Sequence, residues 1–219
     1  MKGPTPYAAM APIAQYRIVN ARDEIALART AAPQSISGKA EVLVLGIRGY
    51  DIAVKGSNGF VCFVERSWAS GFEEPEFWNP KNRSPNCFNP PAARSVLPEY
   101  LQRTKSVLAG VTKQQLIERA RAAVADHTFQ YPEPGSFSLM MSKEGYLGDQ
   151  AGGPWYPHVM FFVKHGETAL WGAGEKGSPI IGQDGLAIES TTLFIPVRRW
   201  SDGSSAMPNT VQQTHVHGR

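Results

Sequence analysis

The sequence predicts an α+β fold: a largely antiparallel sheet, made of an N-terminal three-strand meander and three C-terminal strands, with two or three helices packed on it. Three observations lead there. Short apolar segments joined by glycine turns fill residues 41–65, amphipathic helical patterns occupy 91–126, and strand patterns return between 136 and 197. Strands on both sides of a helical middle suit a sheet covered on one face by helices.

Taken in order, residues 21–32 (ARDEIALARTAA) combine good helix formers with an acidic first turn at Asp23 and Glu24 and stop at Pro33, which predicts a short helix. The segments 41–45 (EVLVL), 51–54 (DIAV) and 60–65 (FVCFVE), separated by Gly46, Gly49, Gly56 and Gly59, predict an antiparallel meander. Residues 68–91 hold Phe72, Phe77, Trp78 and Phe88 among five prolines with almost no period. So long an irregular loop is usually functional or covalently restrained, and its rings are expected to bury against the sheet. Residues 91–109 place Val96, Tyr100, Leu101, Val107 and Leu108 mainly on one helical face, with Pro98 starting or kinking the helix. Thr112 and Gln115 have capping-box spacing, and Leu116, Ile117, Ala120, Ala123 and Val124 continue as an apolar stripe to about Asp126. Strands are predicted at 136–143, 157–164 and 191–197.

Composition narrows the functional classes. The chain has 219 residues, enough for one substantial core, with 42% hydrophobic and 19% charged residues. Lys plus Arg exceed Asp plus Glu by only 22 to 19 and are scattered, which argues against a nucleic-acid surface. No apolar run approaches the ~20 residues of a transmembrane helix. Residues 1–20 are expected to be a flexible leader or the remnant of a trimmed export signal, since Pro4 and Pro6 interrupt the small-residue stretch around Ala9-Met10-Ala11. Residues 21–200 then form a single domain and 201–219 a mobile polar tail. The chain lacks Gly-x-Ser-x-Gly, Gly-x-Gly-x-x-Gly and Gly-x-x-x-x-Gly-Lys-Ser/Thr, and no cofactor is expected.

Cys62 and Cys87 are too far apart for a redox Cys-x-x-Cys pair and too few for a zinc site. A structural disulfide is the preferred reading, and two buried free thiols the alternative. A bond would pin the irregular loop to the third strand and imply folding outside the reducing cytosol.

His158 begins an apolar strand after a glycine-rich turn, where side chains can converge on a pocket. Glu65, Asp149 and Tyr146 are its candidate neighbours, and a carboxylate beside the imidazole would suit a general base or a metal ligand. The alternative is a strand histidine bonded to backbone, because no second ligand stands at a diagnostic spacing. His215 and His217 form a His-x-His pair in the tail, where adventitious metal binding is the plainer account. Trp78, Tyr146, Trp155 and Tyr156 are candidate ligand-binding aromatics if exposed together, and core or loop supports if buried.

The segments EIALARTAAP, AEVLVLG, VKGSNGFVCFVERSW, PEFWNPKNRSPNCFNPPAARSVLP, MMSKEGYLGD, PHVMFF and PVRRWSDG resemble a family of exported bacterial proteins with no established reaction. The resemblance spans about residues 23–203. It implies a secretory leader, a periplasmic or secreted location, one domain and the same two cysteine positions. Family members carry further histidines where this chain has 153–156 (GPWY), which leaves His158 alone. Two functions are therefore carried forward. One is a binding or structural module, for a small molecule or protein, that presents the 68–91 loop and the glycine-rich loop before Trp155 as one surface. The other is a hydrolase-like or metal-dependent enzyme centred on His158 with Glu65 or Asp149.

Overall fold

A computed structural model of the chain describes residues 7–149, 156–184 and 190–206. Its eight strands are β1 (Glu41–Leu45), β2 (Tyr50–Val54), β3 (Val61–Glu65), β4 (Ser84–Phe88), β5 (Phe137–Met140), β6 (His158–Lys164), β7 (Ile181–Asp184) and β8 (Ser190–Pro196). The five α-helices are α1 (Ala21–Arg29), α2 (Gln34–Ser37), α3 (Pro90–Ser95), α4 (Leu97–Leu108) and α5 (Lys113–Ala125). One mixed sheet runs β2-β1-β3-β4-β5-β6-β8-β7, antiparallel except for the parallel pair β1 and β3. Thus α+β and a mostly antiparallel sheet hold. The counts do not: the sequence predicts six strands and two or three helices, and eight and five are found among the described residues.

The N-terminal strands depart from a meander. β1 and β2 form the expected hairpin, but β3 docks on the other side of β1. Burial explains the order. Every residue of β3 is buried, which requires neighbours on both edges and cover on both faces, whereas Asp51, Ile52 and Ala53 of β2 are exposed. A meander would have placed the wet strand centrally. The crossing from β2 to β3 presses Gly56 onto the start of β1, where a Cβ would lie 2.2 Å from the Glu41 nitrogen.

The segment 68–91 reads as irregular throughout, yet it ends in the central strand β4. Cys62 and Cys87 are directly opposed in the β3–β4 register, with Cα atoms 4.0 Å apart, and are joined as a disulfide. The bond therefore ties two neighbouring strands, and the loop lies between them in sequence. Its rings are buried as expected: Trp68, Phe72, Phe77 and Trp78 join Tyr16, Leu45, Val107 and Leu116 in one cluster.

Strand alternation gives the sheet two faces, and helices cover both. Val42, Cys62, Val64, Cys87 and Leu139 meet Ala28, Ala31 and Ala32 at and just beyond α1, with Ile36 of α2. Leu43, Val61, Phe63, Phe88, Met160 and Phe162 meet Ala92 of α3, Val96, and Leu97 and Tyr100 of α4. The expected single covered face is thus corrected, because alternating residues on both sides of β3 and β4 are apolar. The helical run around Pro98 is broken at Val96 into α3 and α4. The Thr112 hydroxyl accepts from the Gln115 backbone nitrogen and the Gln115 side chain accepts from the Thr112 nitrogen, the reciprocal cap expected for α5.

Within the segment expected to be a leader, Tyr16 is fully buried, and its hydroxyl donates to the Trp78 carbonyl at 2.7 Å. In the expected tail, Ser201 N–H donates to the Met141 carbonyl, while His215 and His217 lie outside the described residues.

Candidate functional site

On the face roofed by α4, alternation aligns Phe63 and Glu65 of β3, Ser84 and Asn86 of β4, Met140 of β5, His158 and Met160 of β6, and Phe194 of β8. Toward one end of the sheet this row turns from apolar to polar. β5 pairs with β4 only at Cys87 and Phe88, so the two strands part where Ser84 and Met140 face a cavity of about 430 Å³. Its walls include Glu65, Ser84, Tyr100, Met140, His158, Met160, Gln183 and Phe194, and its rim comes from Ser70, Glu74, Glu76 and Asn82 of the β3–β4 loop with Leu147 and Gly148. The two rim loops are stitched together. Asn82 Nδ2 donates to the Leu147 carbonyl at 2.7 Å, Arg83 and Tyr146 exchange backbone bonds, and a Cβ on Gly148 would strike Glu76 Oε2 at 2.4 Å.

Of the titratable groups that line this cavity, Glu65 and His158 stand on strands of the sheet. Glu65 is 7% exposed and accepts from Asn86 Nδ2 at 2.7 Å on Oε1. Burial pushes its carboxyl up to about 7, with the Asn86 bond and the nearby Arg103 charge pulling the other way. Glu65 therefore takes up a proton far more readily near neutral pH than an exposed carboxylate does. Burial lowers the His158 imidazole, partly offset by its contact with the Tyr156 carbonyl. That carbonyl lies 3.0 Å from Nδ1 and can only accept, so Nδ1 carries the proton and Nε2 holds the lone pair of the neutral ring. Glu65 and His158 stand on strands three spacings apart, roughly 14 Å of backbone separation, so they face a ligand from opposite walls and form no direct dyad.

No protein-family model, curated protein or solved structure matches the chain. The chemistry of the cavity is therefore the guide to function.

The sequence-derived candidates divide. Glu65 and His158 line the same cavity. Asp149 lies outside its lining: its carboxylate accepts from the hydroxyls of Tyr7 and Tyr146 and from Lys81 Nζ, and these donors, Tyr146 first, hold it at about 2. A carboxylate so saturated is a poor base, and Tyr146 is spent on it. Trp78 is buried beneath the loop, with its ring against Phe77, and does not line the cavity. Tyr156 is half-exposed and touches the site only through its carbonyl, and Trp155 lies outside the described residues. No group of three or more His, Cys, Asp or Glu among the described residues could hold a metal ion. Sequence reasoning missed Ser84, Asn86, Tyr100 and the rim glutamates. The one available signal was a polar alternation, Ser84 and Asn86, inside a segment otherwise buried on both faces.

The raised Glu65 carboxyl has a sign that stability measurements can check. A carboxyl higher in the folded than in the unfolded chain contributes stability that is complete below about 4.5 and is lost as pH rises through about 7. Glu65→Gln keeps an oxygen for Asn86 and removes the charge. It is expected to exceed the parent by about 3 kcal/mol at pH 8 and to match it near pH 4 in urea unfolding. A variant less stable than the parent at pH 8 would contradict the burial of an ionisable Glu65.

Proposed function

We propose that this chain is an exported binding protein that holds a small amphipathic molecule in the cavity between the sheet and α4. The observation that carries the reading is a cavity with one largely apolar wall and two convergent polar groups, Glu65 and His158, the usual composition of a small-molecule site. Export is supported by the Cys62–Cys87 disulfide, since such bonds persist in oxidising compartments. The contacts of Asn82 and Arg83 with Leu147 and Tyr146 at the rim support a joint surface for such a module.

A fragment screen read by thermal unfolding tests it. A ligand at a hundred times its Kd adds about 2.7 kcal/mol, or roughly 5–10 °C for a chain of this size. Hits are expected to lose their effect in Met160→Trp, which fills the cavity. Leu147→Trp, at a rim position 41% exposed, serves as the blocking variant if Met160→Trp fails to fold. No hits, or hits that ignore both variants, would refute the site.

One observation favours a second reading, a proton-transfer enzyme. A carboxyl near 7 facing a neutral imidazole with its Nε2 lone pair is the pairing of acid and base that catalysis at neutral pH needs. On that reading Glu65→Gln and His158→Ala each abolish turnover of a bound ligand, whereas a pure binding protein leaves that ligand chemically unchanged.

A further inference from the structure

The charges around the cavity discriminate among ligands. Among the described residues, three carboxyls line it, Glu65, Glu74 and Glu76, against one cation, Arg66. Arg66 is already committed: its Nη2 pairs with Glu24 at 2.8 Å and its Nε donates to the Tyr16 carbonyl at 2.6 Å, with both side chains buried. From α4, Arg103 lies close enough to act on Glu65, but its guanidinium bonds Glu99 and the carbonyls of Trp68 and Ser70 and sits 4.5 Å over the Phe72 ring. Arg83, before β4, donates to the carbonyls of Pro80, Asn82 and Gln15. Tyr50 of β2 donates its hydroxyl to the Val64 carbonyl, Tyr100 of α4 is neutral at physiological pH, and His158 is held neutral by burial. An anion would enter against a net negative wall with every nearby guanidinium engaged.

Glu65 adds an independent observation. Its carboxyl is more than nine-tenths buried, it lines the cavity, and Asn86 bonds Oε1, whereas no hydrogen bond to Oε2 is found among the described residues. Asn86 itself is fully buried and lies outside the cavity lining, so its amide holds the carboxylate from behind. Oε2 is thus the carboxylate oxygen left open to a donor in the cavity. A short distance away, Met140, Met160 and Phe194 offer thioether and aromatic surface.

We propose that the cavity binds an organic cation, an alkyl- or arylammonium ion, with its charged head on Glu65 Oε2 and its apolar body against Met140, Met160 and Phe194. This rests on the cavity being a binding site. The ammonium group donates to Oε2, and an ionised Glu65 supplies its counter-charge. Binding then favours the ionised carboxylate, so up to one proton leaves Glu65 as the cation enters, and affinity rises with pH.

Calorimetric titration of the full chain with 2-phenylethylammonium, 2-phenylethanol and phenylacetate tests the inference. The ammonium ion is expected to bind most tightly of the three, and about tenfold more tightly at pH 8 than at pH 6, because the ionised fraction of Glu65 rises about that much across its midpoint near 7. Glu65→Gln is expected to lose both the preference and the pH dependence, while Glu133→Gln, which removes an exposed carboxyl outside the cavity lining, keeps them. Tighter binding of the alcohol or the carboxylate, or a pH dependence that survives in Glu65→Gln, overturns the cation and leaves the binding cavity standing. No binding by any of the three also overturns the cation, and the fragment screen then decides separately whether the cavity binds anything.

Discussion

Glu24→Ala is expected to lower the unfolding free energy by about 3–5 kcal/mol, the largest single-residue effect in the molecule. Glu24 on α1 and Arg66 after β3 pair at 2.8 Å with side chains 1% and 0% exposed. The same carboxylate accepts the Leu45 backbone N–H at 3.1 Å. Truncating Glu24 leaves a buried guanidinium without its counter-charge and orphans a backbone donor at the end of β1. That is a large share of the 5–15 kcal/mol typical of a domain. Urea unfolding measures it. If Glu24→Ala does not fold, the double variant Glu24→Leu with Arg66→Met, which removes both charges, is expected to recover most of the loss. A single variant within 1 kcal/mol of the parent would show that the pair is not buried as described.

Cys62→Ala with Cys87→Ala is expected to cost about 3–4 kcal/mol, the stabilisation that loop entropy assigns to a crosslink across 25 residues. Both half-cystines are fully buried within the face packed on α1, so two methyl-sized replacements also leave a small void. Guanidinium unfolding of the intact and double-alanine proteins, with mass analysis after alkylation of native protein, checks both stability and bonding. Two alkylated thiols before reduction would contradict the bond.

Elements whose signal is local were legible in the sequence. The helix at 112–126 announced itself through Thr112 and Gln115, and α1 through Asp23, Glu24 and Pro33, because capping and dipole effects act within one turn. β1, β3, β5, β6 and β8 were legible as apolar runs. Beyond the β1–β2 hairpin, their partners were not. Whether β3 pairs with β2 or slips past to the far side of β1 depends on where helices cover it, and both arrangements read alike along the chain. β4 (SPNCF) was hidden for a related reason: Ser84 faces the cavity and Asn86 is spent on Glu65, so its polar alternation points inward and reads as loop. β7 is a four-residue edge strand, too short to signal. In the site, His158 and Glu65 were legible as strand-end polar residues on apolar strands. Asp149 looked equivalent, and only the tertiary approach of Tyr7, Lys81 and Tyr146 shows it to be occupied.

The parallel pairing of β1 with β3 also bears on how quickly the native state is reached. β1 is complete only when β3 arrives after the hairpin with β2, and β3 in turn waits for β4 from beyond a long aromatic segment. Little of the central sheet can assemble from near neighbours alone. Chains whose contacts span such separations refold over milliseconds to seconds, far more slowly than helical bundles of comparable stability. During that interval the apolar edges of β3 and β4 are open to other molecules, so the refolding yield should fall as protein concentration rises.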